Sequence, residues 1–209
     1  MNFENELKNF DNSFLSGDIC YISGTDEAGR GPLAGPVVAA AVIFPNDVFI
    51  DGVNDSKKVP EKKRDELFTK ITSSALCYGV GIIENEEIDR INILQASLKA
   101  MKIAVSRLTT TPDLILIDGN KSFVSETKTK TIVKGDSKSF AIAAASIIAK
   151  VTRDAIMVKA AEEFPNYNWQ KNKGYPTKLH IEAVKKYGAT PLHRKTFLKN
   201  FTNEELKMF

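Results

Sequence analysis

Two stretches without a single charge constrain this chain more than anything else in it: PVVAAAVIF at 36–44 and FAIAAASIIA at 140–149. Neither approaches the ~20 apolar residues that a helix needs to cross a bilayer, so both belong in a protein core. The first is β-branched, short and bounded by glycine and proline signals, and reads as a strand. The second opens a long helical run, SFAIAAASIIAKVTRDAIMVKAAEEF, whose small residues would let it lie close against a sheet. A buried strand and a helix made to cover it point to an α/β protein.

The rest of the chain supplies the partners. Residues 20–25 read as another apolar strand, joined to 36–44 through a glycine-rich turn. A polar loop, DGVNDSKK (51–58), leads to Pro60 at the first turn of a helix over EKKRDELFTKI. SALCYGVGII (74–83), DLILID (113–118) and TIV (131–133) are further strand candidates. NILQASLKAMKIAVSRL (92–108) has apolar residues at helical spacing, and TKLHIEAVKKYG is a helix stopped at Gly188. With 209 residues and no repeat or linker, the expectation is one domain over 1–209. Its α/β core spans about 20–165, and a helical basic part spans about 166–209.

Charge is unevenly spread. From Trp169 to Phe201, seven lysines and Arg194 face one acid, Glu182, whereas the first eighteen residues are acidic. Basic residues mixed with Trp169, Tyr175 and Tyr187 suit a polyanion, nucleic acid in particular. The N-terminus lacks the basic-then-apolar order of a secretion signal. Cys20 and Cys77 have no C-x-x-C spacing and read as reduced core thiols. A cytoplasmic, monomeric protein with no membrane contact is the expectation.

The chemistry sits in GTDEAGRGPLAGP, residues 24–36. As a dinucleotide loop it fails: Gly29, Gly31 and Gly35 are one residue too widely spaced, and a strand follows where that motif needs a helix. Carboxylates, however, gather at element ends. Asp26 and Glu27 end the first strand, Asp118 ends LILID, and Asp136 precedes the long helix. Singly, Asp118-Gly119 also reads as a turn and Asp136 as a helix N-cap. Together, four acids at one sheet edge would repel one another unless cations intervened. All-oxygen ligation suits Mg²⁺ or Mn²⁺, and His180 and His193 lack zinc-site spacing. Four carboxylates would also repel a phosphodiester, whereas two divalent ions about 3.5–4 Å apart let one approach and be hydrolysed. One geometric difficulty remains: neighbouring strand residues face opposite ways. The expectation is that the strand ends or bulges at Asp26–Glu27, with Gly29 and Gly31 permitting the kink.

At this point the residues resemble a known family. GTDEAGRGPLAGPVVAAAVI, DSKK with EKKR, LIDGN, VKGDSKSFAIAAASIIAKVTRD, KGYPTKLH and YGATPLHRKTF, in that order, closely resemble bacterial ribonuclease HII from about Tyr21 to Phe197. The resemblance implies an RNase H-like α/β fold, a mixed central sheet flanked by helices with a helical, basic C-terminal region. It implies endonucleolytic hydrolysis of RNA in RNA–DNA hybrids and incision at single ribonucleotides in duplex DNA, leaving a 3′-hydroxyl and a 5′-phosphate. By position, Asp26, Glu27, Asp118 and Asp136 match the family's catalytic metal ligands. Gly29, Arg30 and Gly31 match its element that reads the backbone around the 2′-hydroxyl, and Tyr175 its tyrosine against the ribonucleotide sugar. Lys57, Lys58, Lys138, Ser139, Lys150 and Arg153 are candidate phosphate contacts. Thr196 and Pro60 depart from residues common in the family. The related ribonuclease HIII has an extra N-terminal substrate-binding domain, for which acids beginning at residue 26 leave no room.

Two alternatives make different demands. A metal-free ribonuclease would use His180 and His193 as an acid–base pair with the 2′-hydroxyl as nucleophile. A non-catalytic nucleic-acid-binding module would need the basic segment but gain nothing from the acids.

Overall fold

The computed structural model describes residues 3–199; residues 200–209, the end of the segment read as helical and basic, lie outside the described residues. In chain order the elements are α1 (Phe3–Asn12), β1 (Ile22–Ala28), β2 (Val37–Ile43), α2 (Glu61–Ser74) and β3 (Cys77–Ile83). There follow α3 (Asn85–Ile91), α4 (Ile93–Ser106), β4 (Leu114–Asp118), β5 (Lys128–Ile132) and α5 (Phe140–Glu163). Short helices α6 (Trp169–Asn172) and α8 (Lys195–Leu198) bracket α7 (Lys178–Tyr187).

One five-stranded sheet has the order β3-β2-β1-β4-β5. β1, β2 and β3 form an antiparallel meander, while β4 and β5 run parallel to β1. The sheet is mixed because β4 and β5 are reached by crossovers rather than hairpins. β2 is buried on both sides, which is why its sequence is apolar throughout. Its Ala40 and Val42 pack with Ala143, Ala144 and Ile147 of α5, while Ala39 and Ala41 pack with Ala96 and Ala100 of α4. The helices approach closely: a Cβ on Gly24 would overlap the backbone of Ala141 and Ile142, and one on Gly81 the carbonyl of Ala100. Among the described residues no helix is long and apolar enough to cross a membrane.

Several expectations are corrected. β5 covers Lys128–Ile132, not 131–133; its KTKTI is largely exposed along the sheet edge, where burial imposes no apolar pattern. The helix read from residue 92 begins at Ile93: Asn92 has φ 67° and its side chain caps Leu94 and Gln95. α1 and α3 had no counterpart in the sequence reading. Cys77 is buried as expected, but Cys20 is exposed. Trp169 is a fully buried core residue, not a surface for bases, and Lys173 and Arg194 are also withdrawn from solvent.

Asp11 of α1 accepts the Ala141 N–H at the start of α5, at 2.8 Å. Burial pushes its carboxyl up to about 6, against the opposing pull of Ser139, the Ala141 and Phe140 amides and Lys8. Because the folded value lies above the unfolded one, this group's contribution is fully present below pH ~4 and is lost as pH rises through about 6. The loss amounts to about 3 kcal/mol. Asp11→Asn keeps an acceptor for Ala141 without the charge. Its melting temperature is expected to gain on that of the parent between about pH 4 and 7; a gap that stays constant across that range would refute the assignment.

Candidate active site

β1 lies between two partners of unequal reach. Its parallel pairing with β4 stops at Thr25–Ile117, whereas its antiparallel pairing with β2 runs on through Ala28–Val38. Asp26 and Glu27 therefore stand on a strand held from one side, at a rim that β4 has just left. The strand neither ends nor bulges there: Asp26 pairs with Ala40 and Glu27 with Ala39 in unbroken register. The expected bulge is thus overturned. Small alanines opposite let β1 continue straight, and the backbone turns only at Gly29, with φ 101°.

Asp26 consequently shares the α5 face with Ala40, and Glu27 the α4 face with Ala39. Asp118 follows Ile117, which packs on the α4 side, and so falls on the α5 face with Asp26. Glu27 still remains at the rim, lining a small cavity with Arg30, Leu98, Met101, Asp118 and Gly119. Its Oε1 lies 3.2 Å from Arg30 Nη1. Asp136 lies in a 3-10 turn, Gly135–Ser137, introduced by Lys134 in the left-handed region. That turn is pinned to the rim by Asp118, whose Oδ1 accepts the Gly135 N–H at 2.6 Å. The N-cap of α5 is Ser139, so Asp136 does not cap that helix.

Electrostatics tie the four acids together. Burial, then the charges of Glu27 and Asp118, holds the Asp26 carboxyl well above the usual range. Burial also raises Glu27, helped by Asp118 and opposed by Arg30, and it raises Asp136, helped by Asp118 and Asp55. Burial lowers the Lys57 ammonium, but Asp55, Asp136, Asp26 and Asp118 together outweigh it and hold its pKa above normal. Lys57 Nζ stands 3.7 Å from Asp136 Oδ2. Among the described residues no three His, Cys, Asp or Glu side chains are already arranged around one ion; Glu27 is turned toward Arg30 instead. The donor set is nonetheless all oxygen, and its mutual repulsion is what a hard divalent cation relieves, so these residues fit such an ion.

The remaining candidates divide. Gly31 adjoins Tyr175: a Cβ there would come 3.7 Å from Tyr175 Cε1. The Tyr175 ring, 38% exposed, faces Lys150 Nζ at 5.6 Å and the Arg153 guanidinium at 5.7 Å. Lys57, Lys58 and Lys138 are exposed. Arg153 and Ser139, expected to meet phosphate, are fully buried. Arg153 donates to the carbonyls of Pro36, Ala34 and Lys173, and the Ser139 hydroxyl accepts the Ile142 N–H. Lys150 is committed to Asp154 at 2.7 Å. The sequence reading missed Arg194, whose guanidinium binds four carbonyls of the glycine loop. The dipeptide His193-Arg194 in a recurring motif was the available signal.

The histidine alternative fails on geometry. His180 and His193 are fully buried and bonded to each other, Nε2 to Nε2, at 3.1 Å. Trp169 Nε1 donates to His180 Nε2, His180 Nδ1 bonds the Tyr175 carbonyl, and His193 Nδ1 accepts the Thr190 N–H. No ring nitrogen is left for a substrate.

Comparison with known proteins decides the kinship. The sequence model of the family Ribonuclease HII matches residues 23–201. The chain belongs to the ribonuclease HII family. It is 56% identical over 198 residues to Ribonuclease HII of Clostridioides difficile (strain 630), covering 95% of this chain and 75% of that one. It is 55% identical over 193 residues to the Ribonuclease HII of Endomicrobium trichonymphae, covering 90% of each. Among solved structures, the ribonuclease H2 from Pyrococcus horikoshii OT3 superposes with a TM-score of 0.71 at 27% identity, over 90% of this chain and all of that one. The fold is accordingly RNase H-like, a mixed sheet with flanking helices. As a ribonuclease HII the chain is an endonuclease of the ribonuclease H class, acting on the RNA strand of RNA–DNA hybrids, and the binding-module alternative falls away.

Proposed function

We propose that this ribonuclease HII also incises duplex DNA on the 5′ side of single ribonucleotides, by in-line attack of water that leaves a 3′-hydroxyl and a 5′-phosphate. The observation that carries this reading is the joining of two features at one rim. Four electrostatically coupled acids adjoin Arg30, and the glycine loop bearing Arg30 adjoins the exposed Tyr175 ring. Asp26, Glu27, Asp118 and Asp136 are the ligands proposed for Mg²⁺ or Mn²⁺. When bound, such ions would supply Lewis acidity and offset the repulsion between the acids and a phosphodiester.

The protein's own groups do the selecting. Gly29, Arg30 and Gly31 let backbone and guanidinium approach a sugar-phosphate without side-chain obstruction. Tyr175 presents its ring to the ribose, whose 2′-hydroxyl is the one group that marks RNA within a DNA duplex. Lys57 and Lys58 hold positive charge where the strand would pass. The proposed protein works as a cytoplasmic monomer in removing ribonucleotides from DNA.

The test compares a duplex carrying one ribonucleotide with its all-deoxy counterpart, each with and without EDTA, and identifies the product ends. Cleavage is expected on the first duplex alone, only with divalent ion present. Equal cutting of both duplexes would remove Arg30 and Tyr175 from their role. Chelator-resistant cleavage leaving a cyclic phosphate would overturn the acids' role.

A further inference from the structure

His180 and His193, which the chemistry does not use, are fully buried and bonded to each other. Burial lowers the pKa of both rings, that of His193 to about 4, so both are neutral at neutral pH. Each ring proton then has one place to be. His193 Nδ1 accepts the Thr190 N–H at 2.9 Å, so the His193 proton is on Nε2. That proton points at His180 Nε2, 3.1 Å away. Trp169 Nε1, which can only donate, aims at the same His180 Nε2 at 3.0 Å. His180 Nε2 is therefore bare, and the His180 proton sits on Nδ1. There it faces an acceptor, the Tyr175 carbonyl, at 2.9 Å.

Where this chain of bonds ends gives it a use. A buried polar network carries a desolvation cost that an apolar core avoids. The Tyr175 carbonyl, moreover, already accepts the Thr177 N–H at 2.8 Å across Pro176. His180 is not needed to satisfy it; a donor on the second lone pair instead fixes the direction in which the carbonyl points. The Tyr175 N–H donates to Asn172 O at 2.9 Å, so the residue is held on both sides of its Cα. Its ring, by contrast, is exposed and stands beside Gly31. With the backbone clamped, only two side-chain torsions remain to place that ring. Trp169, His180 and His193 thus converge on the main chain of one outward-facing aromatic residue.

We infer that His180 is a positioning residue for ribonucleotide recognition: its Nδ1–H, fixed as a donor by Trp169 and His193, holds the Tyr175 carbonyl and so aims the Tyr175 ring at the sugar of the substrate strand. This rests on the functional reading above. It goes beyond that reading in giving the buried histidine pair a part in recognition without contact to substrate.

Two near-isosteric variants separate the two sides of the ring. Asparagine places its amide near Nδ1, so His180→Asn keeps a donor for the Tyr175 carbonyl and loses the acceptor for Trp169 and His193. Glutamine places its side-chain oxygen near Nε2, so His180→Gln keeps that acceptor and loses the donor. With the one-ribonucleotide duplex, His180→Gln is expected to lower kcat/KM roughly tenfold, the size of one lost buried hydrogen bond, and His180→Asn less than about threefold. In a Tyr175→Ala background, His180→Gln is expected to cost less than about twofold, because the ring it aims is gone. Equal losses in the two His180 variants, or a His180→Gln cost that persists without the Tyr175 ring, overturn the inference. Should these variants fail to fold, imidazole spectra of ¹⁵N-histidine-labelled Asp118→Asn protein decide the matter. They are expected to show His180 protonated at Nδ1, with a signal that shifts when the one-ribonucleotide duplex binds and less with the all-deoxy duplex. Protonation at Nε2, or a signal indifferent to the bound one-ribonucleotide duplex, overturns it. A parent protein that cuts both duplexes alike sinks the functional reading itself. Intact discrimination in the parent, with equal losses in the two His180 variants, sinks only the role of His180.

Discussion

Asp26→Asn is expected to melt above the parent chain in EDTA and to cut no substrate. Asp26 is buried, and its carboxyl is held well above the usual range by burial first and then by Glu27 and Asp118. The sign follows from that direction. Stability associated with the protonated group is fully present below the unfolded value and is lost as pH rises through the folded one. The advantage of Asn over Asp should therefore widen as the solution is made more alkaline. Asparagine preserves volume and the oxygen that accepts the Glu27 N–H at 2.7 Å, so the fold has no other reason to respond. Added Mn²⁺ should narrow or reverse the difference, because only the parent keeps the full set of proposed ligands. Loss of activity should reach about a thousandfold or more, as when a metal ligand is removed. Asp118→Asn is expected to lose cleavage similarly while still binding hybrid. Near-normal turnover by either variant would remove the acids from the mechanism. A lower melting temperature for Asp26→Asn in EDTA would show that the carboxylate is not under electrostatic stress.

The second large effect is on stability alone. Gly24→Ala should destabilise the protein by about 3 kcal/mol, the upper range for overpacking a well-filled core. The methyl would overlap the Ala141–Ile142 backbone, and a helix main chain cannot rotate aside as a side chain can. Gly17→Ala is the control, since no atom lies within 4 Å of the position its Cβ would occupy. It should change stability by less than about 0.5 kcal/mol. Urea unfolding of the three proteins, with similar slopes and a midpoint lowered only in Gly24→Ala, checks the pair. Unchanged stability in Gly24→Ala would mean that α5 does not lie as close to β1 as described.

What could be read from the sequence is what burial writes into it. The two uncharged runs yielded β2 and the start of α5 almost to the residue because β2 and the first ten residues of α5 are enclosed on nearly every side. KTKTI gave little warning of β5, because an edge strand in solvent needs no apolar face. α1 did carry a signal, Phe3, Leu7 and Phe10 at helical spacing, which the sequence reading passed over, whereas α3 has only seven residues and too few apolar positions to show a period. Acids at strand ends were legible as a group, yet the way Glu27 meets the rim was not. That depends on β4 ending one residue past its last pair with β1, a matter of relative strand length. Arg153 and Arg194 show the limit most clearly. An arginine in a polar stretch reads as a surface charge, and only the fold reveals that both point inward at carbonyls.

The parallel pairing of β1 with β4 also sets when the enzyme can exist at all. β1 finds β2 across a short turn, but Thr25 meets Ile117 only after closing a loop of about 90 residues, a slow kind of contact to form. Asp118 and Asp136 come later still along the chain. As it leaves the ribosome, the first half of this protein therefore carries Asp26 and Glu27 without the two later acids proposed to complete the site. The four-acid rim proposed for catalysis cannot assemble until well over half of the polypeptide has been translated.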